Sequence, residues 1–159
     1  MNPTRFLLSL LISMPLATPV SAVEHNLLPQ ASDLKLLGKT AEKRGIPILL
    51  MISQSHCSYC ERLENEVLNP MLLSGDYDHR VLMRELPVDA GETVINFEGQ
   101  HETTGEFRDR YAVHVTPTLL FLDGNGHEVA QRILGINTVD YLPFYIEAAV
   151  ETATRTMAR

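Results

Sequence analysis

Residues 46–68 read IPILLMISQSHCSYCERLENEVL, and they include both cysteines of the sequence, Cys57 and Cys60. Residues 46–52 form an uninterrupted apolar run, which is typical of a β-strand covered on both faces. Residues 61–68 form a helix-like run. We therefore predict that the cysteine pair lies at the junction where a strand gives way to a helix.

The spacing of the two cysteines at the start of a helix has a chemical consequence. Cysteines separated by two residues lie within one helical turn, close enough to bond to each other in a small ring. The helix N-terminus carries partial positive charge and unpaired N–H groups, which favour a thiolate over a thiol. The pattern therefore predicts a reactive dithiol that can be oxidised and reduced reversibly.

Two other uses of a CxxC pair fit the residues less well. A purely structural bridge would close a loop too short to constrain the unfolded chain much. A structural zinc site normally takes four ligands, often from two such pairs, and the sequence has no second pair. Its six histidines are scattered through the chain as His25, His56, His79, His101, His114 and His127.

The first residues predict an export signal. Arg5 provides positive charge, residues 6–17 are mostly apolar, and Ala22 ends a small-residue cleavage site. We expect residues 1–22 to be a signal peptide and residues 23–159 to form one domain in the periplasm or secreted. An uncleaved anchor is less favoured, because prolines break an apolar stretch shorter than the roughly 20 residues that a membrane span needs.

Export and charge narrow the expected chemistry. Exported proteins usually use their cysteines in structural disulfides, but both cysteines here belong to one CxxC, which favours a redox role. The net charge is −7 and there is no run of lysine or arginine. Nucleic acid is therefore not an expected partner.

The hydrophobic pattern predicts alternating helices and strands, and hence an α/β sheet with helices on both faces. The predicted helices cover residues 33–44, a stretch that follows the cysteine loop and runs to about residue 73, residues 105–111, and residues from about 138 to 154. Ser32 is predicted to cap the first helix and Gly45 to end it. The predicted strands cover residues 46–52, 80–88, 118–122 and 128–134, with a hairpin signal at 123–126. Residues 89–104 are predicted to be a long loop, in which Val94, Ile95 and Phe97 could pack down.

The sequence resembles the thioredoxin family in two motifs. One is Cys57-Ser58-Tyr59-Cys60, and the other is VTPTLLFLDG at residues 115–124. The resemblance implies the thioredoxin fold, with a central mixed sheet of about four to five strands flanked by helices. It also implies that Pro117 is a cis-proline beside the dithiol, and that the backbone of Thr116 pairs with an extended substrate segment.

Within the family, the chain is most similar to exported thioredoxins linked to bacterial sulfur oxidation and cytochrome maturation. This likeness rests on residues 94–99, 107–113 and 116–118. It implies protein disulfides or thiols as substrates, a membrane thiol transporter as electron donor, no cofactor, no metal, and a monomer.

The chain departs from the cytosolic members at several positions. It has no tryptophan, and it carries Ser58 and Tyr59 where those members have Gly-Pro. The family's buried acid, six residues before the first cysteine, falls on Met51, and its companion lysine falls on Glu85. We hypothesise that Glu85 accepts the proton of Cys60, with a carboxylate at the sheet rim as the plainer interpretation.

The resemblance and the helix-start position together imply a two-step mechanism. Cys57 attacks a substrate disulfide as a thiolate, and Cys60 then resolves the mixed disulfide, leaving a Cys57–Cys60 disulfide. His56 is either an aid to the thiolate or a bystander. The expected activity is that of a thiol–disulfide oxidoreductase acting as an exported protein-disulfide reductase.

Two alternatives stay open. The first is a thiol oxidase or disulfide isomerase, because an aromatic second residue between the cysteines, as in Ser58-Tyr59, resembles those enzymes more than Gly-Pro does. The second is a Cu(I)-binding module, since soft thiolates select that ion. No methionine in a loop near the cysteines provides it with a third sulfur ligand.

Overall fold

The computed structural model describes residues 27–89, 91–136 and 138–159. The predicted signal peptide, residues 1–22, lies outside the described residues. The helices are α1 (Leu34–Arg44), α2 (Ser58–Leu63), α3 (Asn69–Ser74), α4 (Thr104–Arg110) and α5 (Leu142–Met157). A π-helical turn, Glu64–Leu68, joins α2 to α3, and a 3₁₀ turn, Val139–Tyr141, precedes α5.

The strands form one four-stranded sheet and one small hairpin. They are β1 (Ile48–Ser53), β2 (Leu82–Pro87), β3 (Thr93–Ile95), β4 (His101–Thr103), β5 (Thr118–Leu122) and β6 (Glu128–Leu134). The main sheet has the order β2-β1-β5-β6. Strand β1 is parallel to β2 and antiparallel to β5, and β5 is antiparallel to β6. The predicted α/β fold with a mixed sheet is therefore confirmed.

Strand β1 is buried along its whole length because helices cover both faces of the sheet. Its side chains alternate between two apolar clusters, as the period of a strand requires. Ile48, Leu50 and Ile52 pack with residues of α1 and α4. Leu49 and Met51 pack with residues of α2, the π-helical turn and α5. The continuous apolar run in the sequence thus reflects a central strand with a core on each side.

Two local predictions need correction. The cap of α1 is Asp33 and not Ser32, because the Asp33 carboxylate accepts the Leu36 N–H at 2.8 Å. The predicted loop at 89–104 contains the β3–β4 hairpin, whose Val94 is buried in the core. Three-residue strands are too short to show a period of two in the sequence.

The helix through the cysteine region ends at Gly75, whose φ of 73° places it in the left-handed region. This agrees with the predicted end near residue 73. Within the described part of the chain, no helix has the combination of length and apolar character that a membrane span requires.

Helix α1 packs unusually close to the turn between β5 and β6. A Cβ atom on Gly38 would lie 2.1 Å from the carbonyl oxygen of Gly124. We expect Gly38→Ala to lower the free energy of unfolding by about 1–3 kcal/mol, because the backbones would have to separate. Urea denaturation followed by circular dichroism measures this change.

Gly105→Ala in α4 is the matched control. A Cβ atom there would meet nothing closer than Thr103 Oγ1 at 3.9 Å. This variant should be as stable as the wild type, or more stable by up to about 1 kcal/mol, because alanine has the higher helix propensity. Equal stability of the two variants would show that the close packing at Gly38 is unimportant.

Candidate active site

The two cysteines lie at the start of α2, as the sequence predicts. Cys57 is the residue that caps the helix, with an extended backbone at φ −100° and ψ 92°. Its Sγ accepts the backbone N–H of Cys60 at 3.1 Å, and the two sulfur atoms are joined in a disulfide with a Cα–Cα distance of 5.2 Å. A backbone donor is therefore already directed at the sulfur atom that would carry charge in the reduced state.

The two sulfur-bearing residues differ in their access to solvent. Cys57 is 8% exposed and Cys60 is 4% exposed. Cys60 belongs to the face of the helix that packs against the sheet, together with Leu63. The order agrees with an outer attacking cysteine and an inner resolving cysteine, although these roles remain predictions.

A short turn between β1 and α2 presents the cysteine pair. His56 is exposed and adopts a φ of 57°, a left-handed conformation that few side chains favour. The neighbouring Ser55 N–H donates to both carboxylate oxygens of Asp89, at 2.8 and 2.9 Å. These bonds tie the cysteine turn to the chain that follows β2. Tyr59, between the cysteines, is 60% exposed.

The second sequence motif faces the cysteines from the start of β5. The Thr116–Pro117 peptide bond is cis. Thr116 Oγ1 lies 3.7 Å from Cys57 Sγ, and Pro117 is buried. Within the described residues, no backbone hydrogen bond uses the N–H or C=O of Thr116. Its main chain is therefore available to another extended segment.

A cleft of about 290 Å³ opens beside this motif. Its lining includes Asp89, Arg108, His114 and Thr116, so it is polar and carries charge of both signs. A larger groove of about 620 Å³ lies between β6 and α5, and neither cleft is lined by a cysteine. Only the smaller of these two clefts reaches the redox site, through Thr116.

Glu85, the predicted proton acceptor, is buried in the sheet at 8% exposure. It is the register partner of Met51, so both side chains lie on the face of the sheet that α2 covers. Ser53 Oγ donates a hydrogen bond to Glu85 Oε1 at 2.7 Å. Strand β2 is an edge strand of the sheet, so Glu85 is a carboxylate of the sheet edge, and it is buried there. Its role as proton acceptor stays a prediction.

Sequence reasoning missed a second buried carboxylate, Glu64, which is 9% exposed. Its N–H donates to the carbonyl of Cys60, one helical turn earlier. Burial raises the pKa of the Glu64 carboxyl, and the nearby charge of Glu85 raises it further, against an opposing hydrogen bond from Asn69. The available signal was its position four residues after Cys60, on the side of the helix that carries Leu63.

Metal ligation has little support in this region. Among the residues that the structure describes, no group of three or more histidine, cysteine, aspartate or glutamate side chains could hold a metal ion.

Residues 34–149 match the family model of the thioredoxin-like domain, and the chain therefore belongs to this family. With its CxxC pair at disulfide distance, the protein is a thiol–disulfide oxidoreductase. No curated protein sequence matches the chain significantly.

Solved thioredoxin structures share the fold at low sequence identity. Thioredoxin of Fasciola hepatica is 20% identical, with a TM-score of 0.52 over 77% of this chain and 99% of that chain. Thioredoxin NaTrxh of Nicotiana alata is 19% identical, with a TM-score of 0.51 over 76% and 94%. Oxidised mitochondrial thioredoxin 3 of Saccharomyces cerevisiae is 14% identical, with a TM-score of 0.52 over 79% and 94%.

The helix start should lower the pKa of the Cys57 thiol below the free value of about 8.5, because the Cys60 N–H and the helix N-terminus stabilise the thiolate. The pH dependence of iodoacetamide alkylation in a Cys60→Ala variant measures this pKa, and the backbone N–H is retained in that variant. A midpoint at or above about 8.5 would show that the helix start does not activate Cys57. Urea-unfolded protein provides the unperturbed reference.

Proposed function

We propose that the protein is an exported protein-disulfide reductase that works through the Cys57/Cys60 dithiol. The observation that supports reduction over oxidation is the short connection between α4 and β5. In residues 104–122, the seven-residue helix α4 leads straight to the Pro117 loop and β5, without an inserted helical subdomain. Exported oxidases that resemble this family carry such an insertion.

The first step of the proposed reaction uses the outer sulfur. The Cys57 thiolate attacks one sulfur of a substrate disulfide, and the other substrate sulfur leaves as a thiolate. The 3.7 Å approach of Thr116 Oγ1 to Cys57 Sγ supports a substrate segment lying along Thr116. In this position, the main chain of Thr116 would pair with the substrate backbone as a neighbouring strand does.

The second step needs Cys60 to lose a proton. The Cys60 thiolate then attacks Cys57 Sγ, which releases the second substrate thiolate and forms the intramolecular disulfide. We assign a buried carboxylate as the acceptor of that proton, and Glu85 is the candidate that the strand alignment indicates. Its burial on the side of the sheet covered by α2 supports a role in this proton transfer, either as the acceptor itself or through a second buried carboxylate.

The source of electrons follows from the proposed location. The predicted signal peptide places the protein outside the cytosol, where we propose a membrane thiol transporter as the donor that restores the dithiol. The resemblance to exported thioredoxins of sulfur oxidation and cytochrome maturation suggests cysteine-containing proteins of those systems as substrates. The absence of any run of basic residues is consistent with protein partners.

A thiol oxidase or isomerase is the second candidate, and one observation favours it. Tyr59 is 60% exposed at the position between the cysteines, so an aromatic ring borders the reactive sulfur. In this direction, the resting disulfide would accept electrons from substrate thiols.

The reduction potential separates the two directions. We expect a value near about −270 mV, as for thioredoxin, because α4 leads to the Pro117 loop and β5 without an inserted helical subdomain. Equilibration with glutathione buffers, followed by thiol trapping and mass spectrometry, gives the potential. A value near about −120 mV would replace the proposed reductase with an oxidase.

A trapping variant tests the two cysteine roles. When the full chain is expressed, the Cys60→Ala variant should accumulate mixed disulfides through Cys57, because no second cysteine resolves them. Mass spectrometry of the adducts identifies the partners. If adducts form with Cys57→Ala and not with Cys60→Ala, then the roles are reversed.

A further inference from the structure

The buried face of the cysteine helix contains a carboxylate directly after the resolving cysteine. Cys60, Leu63, Glu64 and Val67 are all buried, and they recur at the spacing of one helix face. The N–H of Glu64 bonds to the C=O of Cys60. Because side chains four residues apart on a helix are neighbours, Glu64 lies one turn beneath the Cys60 sulfur.

Within the described strands, Glu85 is the one carboxylate on the face of the sheet that this helix covers. Met51 is fully buried and apolar at the position where relatives carry an acid. Glu85 lies beside it, and its Oε1 accepts the Ser53 hydroxyl. Its charge raises the pKa of the Glu64 carboxyl, and both residues are buried where α2 and the π-helical turn cover this face of the sheet.

The π-helical turn arranges a third group around Glu64. The Asn69 N–H bonds to the Glu64 carbonyl across the wide turn, and the Asn69 side-chain amide donates to Asn65 Oδ1 at 3.4 Å. The Asn69 side chain also opposes the rise in the pKa of Glu64. π-helical turns recur at functional sites. Asn69 is 5% exposed, and its Oδ1 is one of two buried side-chain polar atoms without a partner in the described structure.

The surroundings of Glu64 favour proton uptake. Its charged neighbours are Glu85 from β2 and Glu61 from its own helix, and both are acidic. Ser53 from β1 and Asn69 from α3 are neutral. Burial and these two negative charges raise the pKa of the Glu64 carboxyl, which makes its carboxylate a stronger base.

We propose that Glu64 is the immediate proton acceptor for Cys60, and that Glu85 is the positioning residue that makes Glu64 basic enough to do so. The proposal deepens the proposed disulfide reduction and rests on it. In the resolving step, the Cys60 S–H proton passes to the Glu64 carboxylate. The Cys60 electron pair forms the bond to Cys57 Sγ, and the Cys57–substrate bond breaks. Glu64 then passes this proton to the departing substrate thiolate, directly or through solvent, and so returns to its ionised form.

The resolving step can be isolated from any natural substrate. Reduced protein is treated at acidic pH with one equivalent of the chromogenic disulfide dithionitrobenzoate, which leaves thionitrobenzoate on Cys57. A jump to higher pH then starts the attack of Cys60, and the released thionitrobenzoate is followed by its absorbance. A Cys60→Ala variant should show no release within the molecule.

We expect Glu64→Gln to slow this release by about tenfold or more near about pH 7, since a general base is lost. The difference from wild type should close at pH values well above about 8.5, where the thiol ionises unaided. Glu64→Asp should restore part of the rate. Glu66→Gln removes the same charge from the exposed side of the helix, where Glu66 pairs with Arg62, and should behave as wild type.

Several outcomes would overturn the assignment. Glu64→Gln could match the wild type at every pH, or be slower by the same factor at every pH, which marks a structural role. A loss confined to Glu85→Gln would return the acceptor role to Glu85. A wild-type protein that releases thionitrobenzoate normally but reduces no protein disulfide would refute the reductase direction and leave the role of Glu64 intact.

A second measurement covers the case in which the carboxylate variants resolve too slowly or fold poorly. In a reduced Cys57→Ala background, the thiolate absorbance of Cys60 gives its pKa directly. Loss of the neighbouring negative charge in Glu64→Gln should lower that pKa by about one pH unit, and Glu64→Asp should move it less. An unchanged pKa in both variants would show that Glu64 does not act on Cys60.

Discussion

The architecture depends on burial of β1 on both of its faces. Every residue of this strand is enclosed, with alternate side chains in the two apolar clusters. This packing fixes the position of β1, and a short turn, residues 54–56, leads from the end of the strand to the start of α2. The capping position therefore falls on Cys57, whose sulfur receives the Cys60 N–H. The reactivity of the site is a consequence of where a buried strand stops.

The same packing explains why the polar groups beneath the site are restricted in number. The helix and sheet close over an apolar layer in which Met51 and Leu63 meet. Glu64, Glu85, Ser53 and Asn69 are buried at its edge. Buried polar groups persist when they are hydrogen-bonded or have a chemical use. The Ser53–Glu85 hydrogen bond satisfies the first condition for those two residues, and the position of Glu64 one turn after Cys60 suggests the second.

The site also needs a surface for its partner, and the Thr116–Pro117 loop provides it. Thr116 Oγ1 lies 3.7 Å from Cys57 Sγ, and within the described residues no backbone hydrogen bond uses the N–H or C=O of Thr116. The neighbouring cleft contains Asp89 and Arg108, so a substrate segment would meet charge of both signs there. Cys57 Sγ thus lies between the Thr116 segment, which can pair with a substrate strand, and the start of α2, whose N–H at Cys60 it accepts.

The sequence by itself determined the strand–helix junction, the reactive cysteine pair, the mixed α/β order of elements and the likeness to thioredoxins. These features are local, or they recur at a fixed spacing, so periodicity and motifs carry them. The cap at Asp33, the β3–β4 hairpin and the π-helical turn were not foreseen, because single hydrogen bonds and very short strands leave no periodic pattern. The resemblance implied that the Pro117 motif lies beside the dithiol, but only the tertiary structure gave the 3.7 Å approach of Thr116 Oγ1 to Cys57 Sγ and the burial of both Glu64 and Glu85. Such contacts depend on the register of strands and the depth of packing, and burial, which shifts the pKa of Glu64, does not exist until the chain has folded.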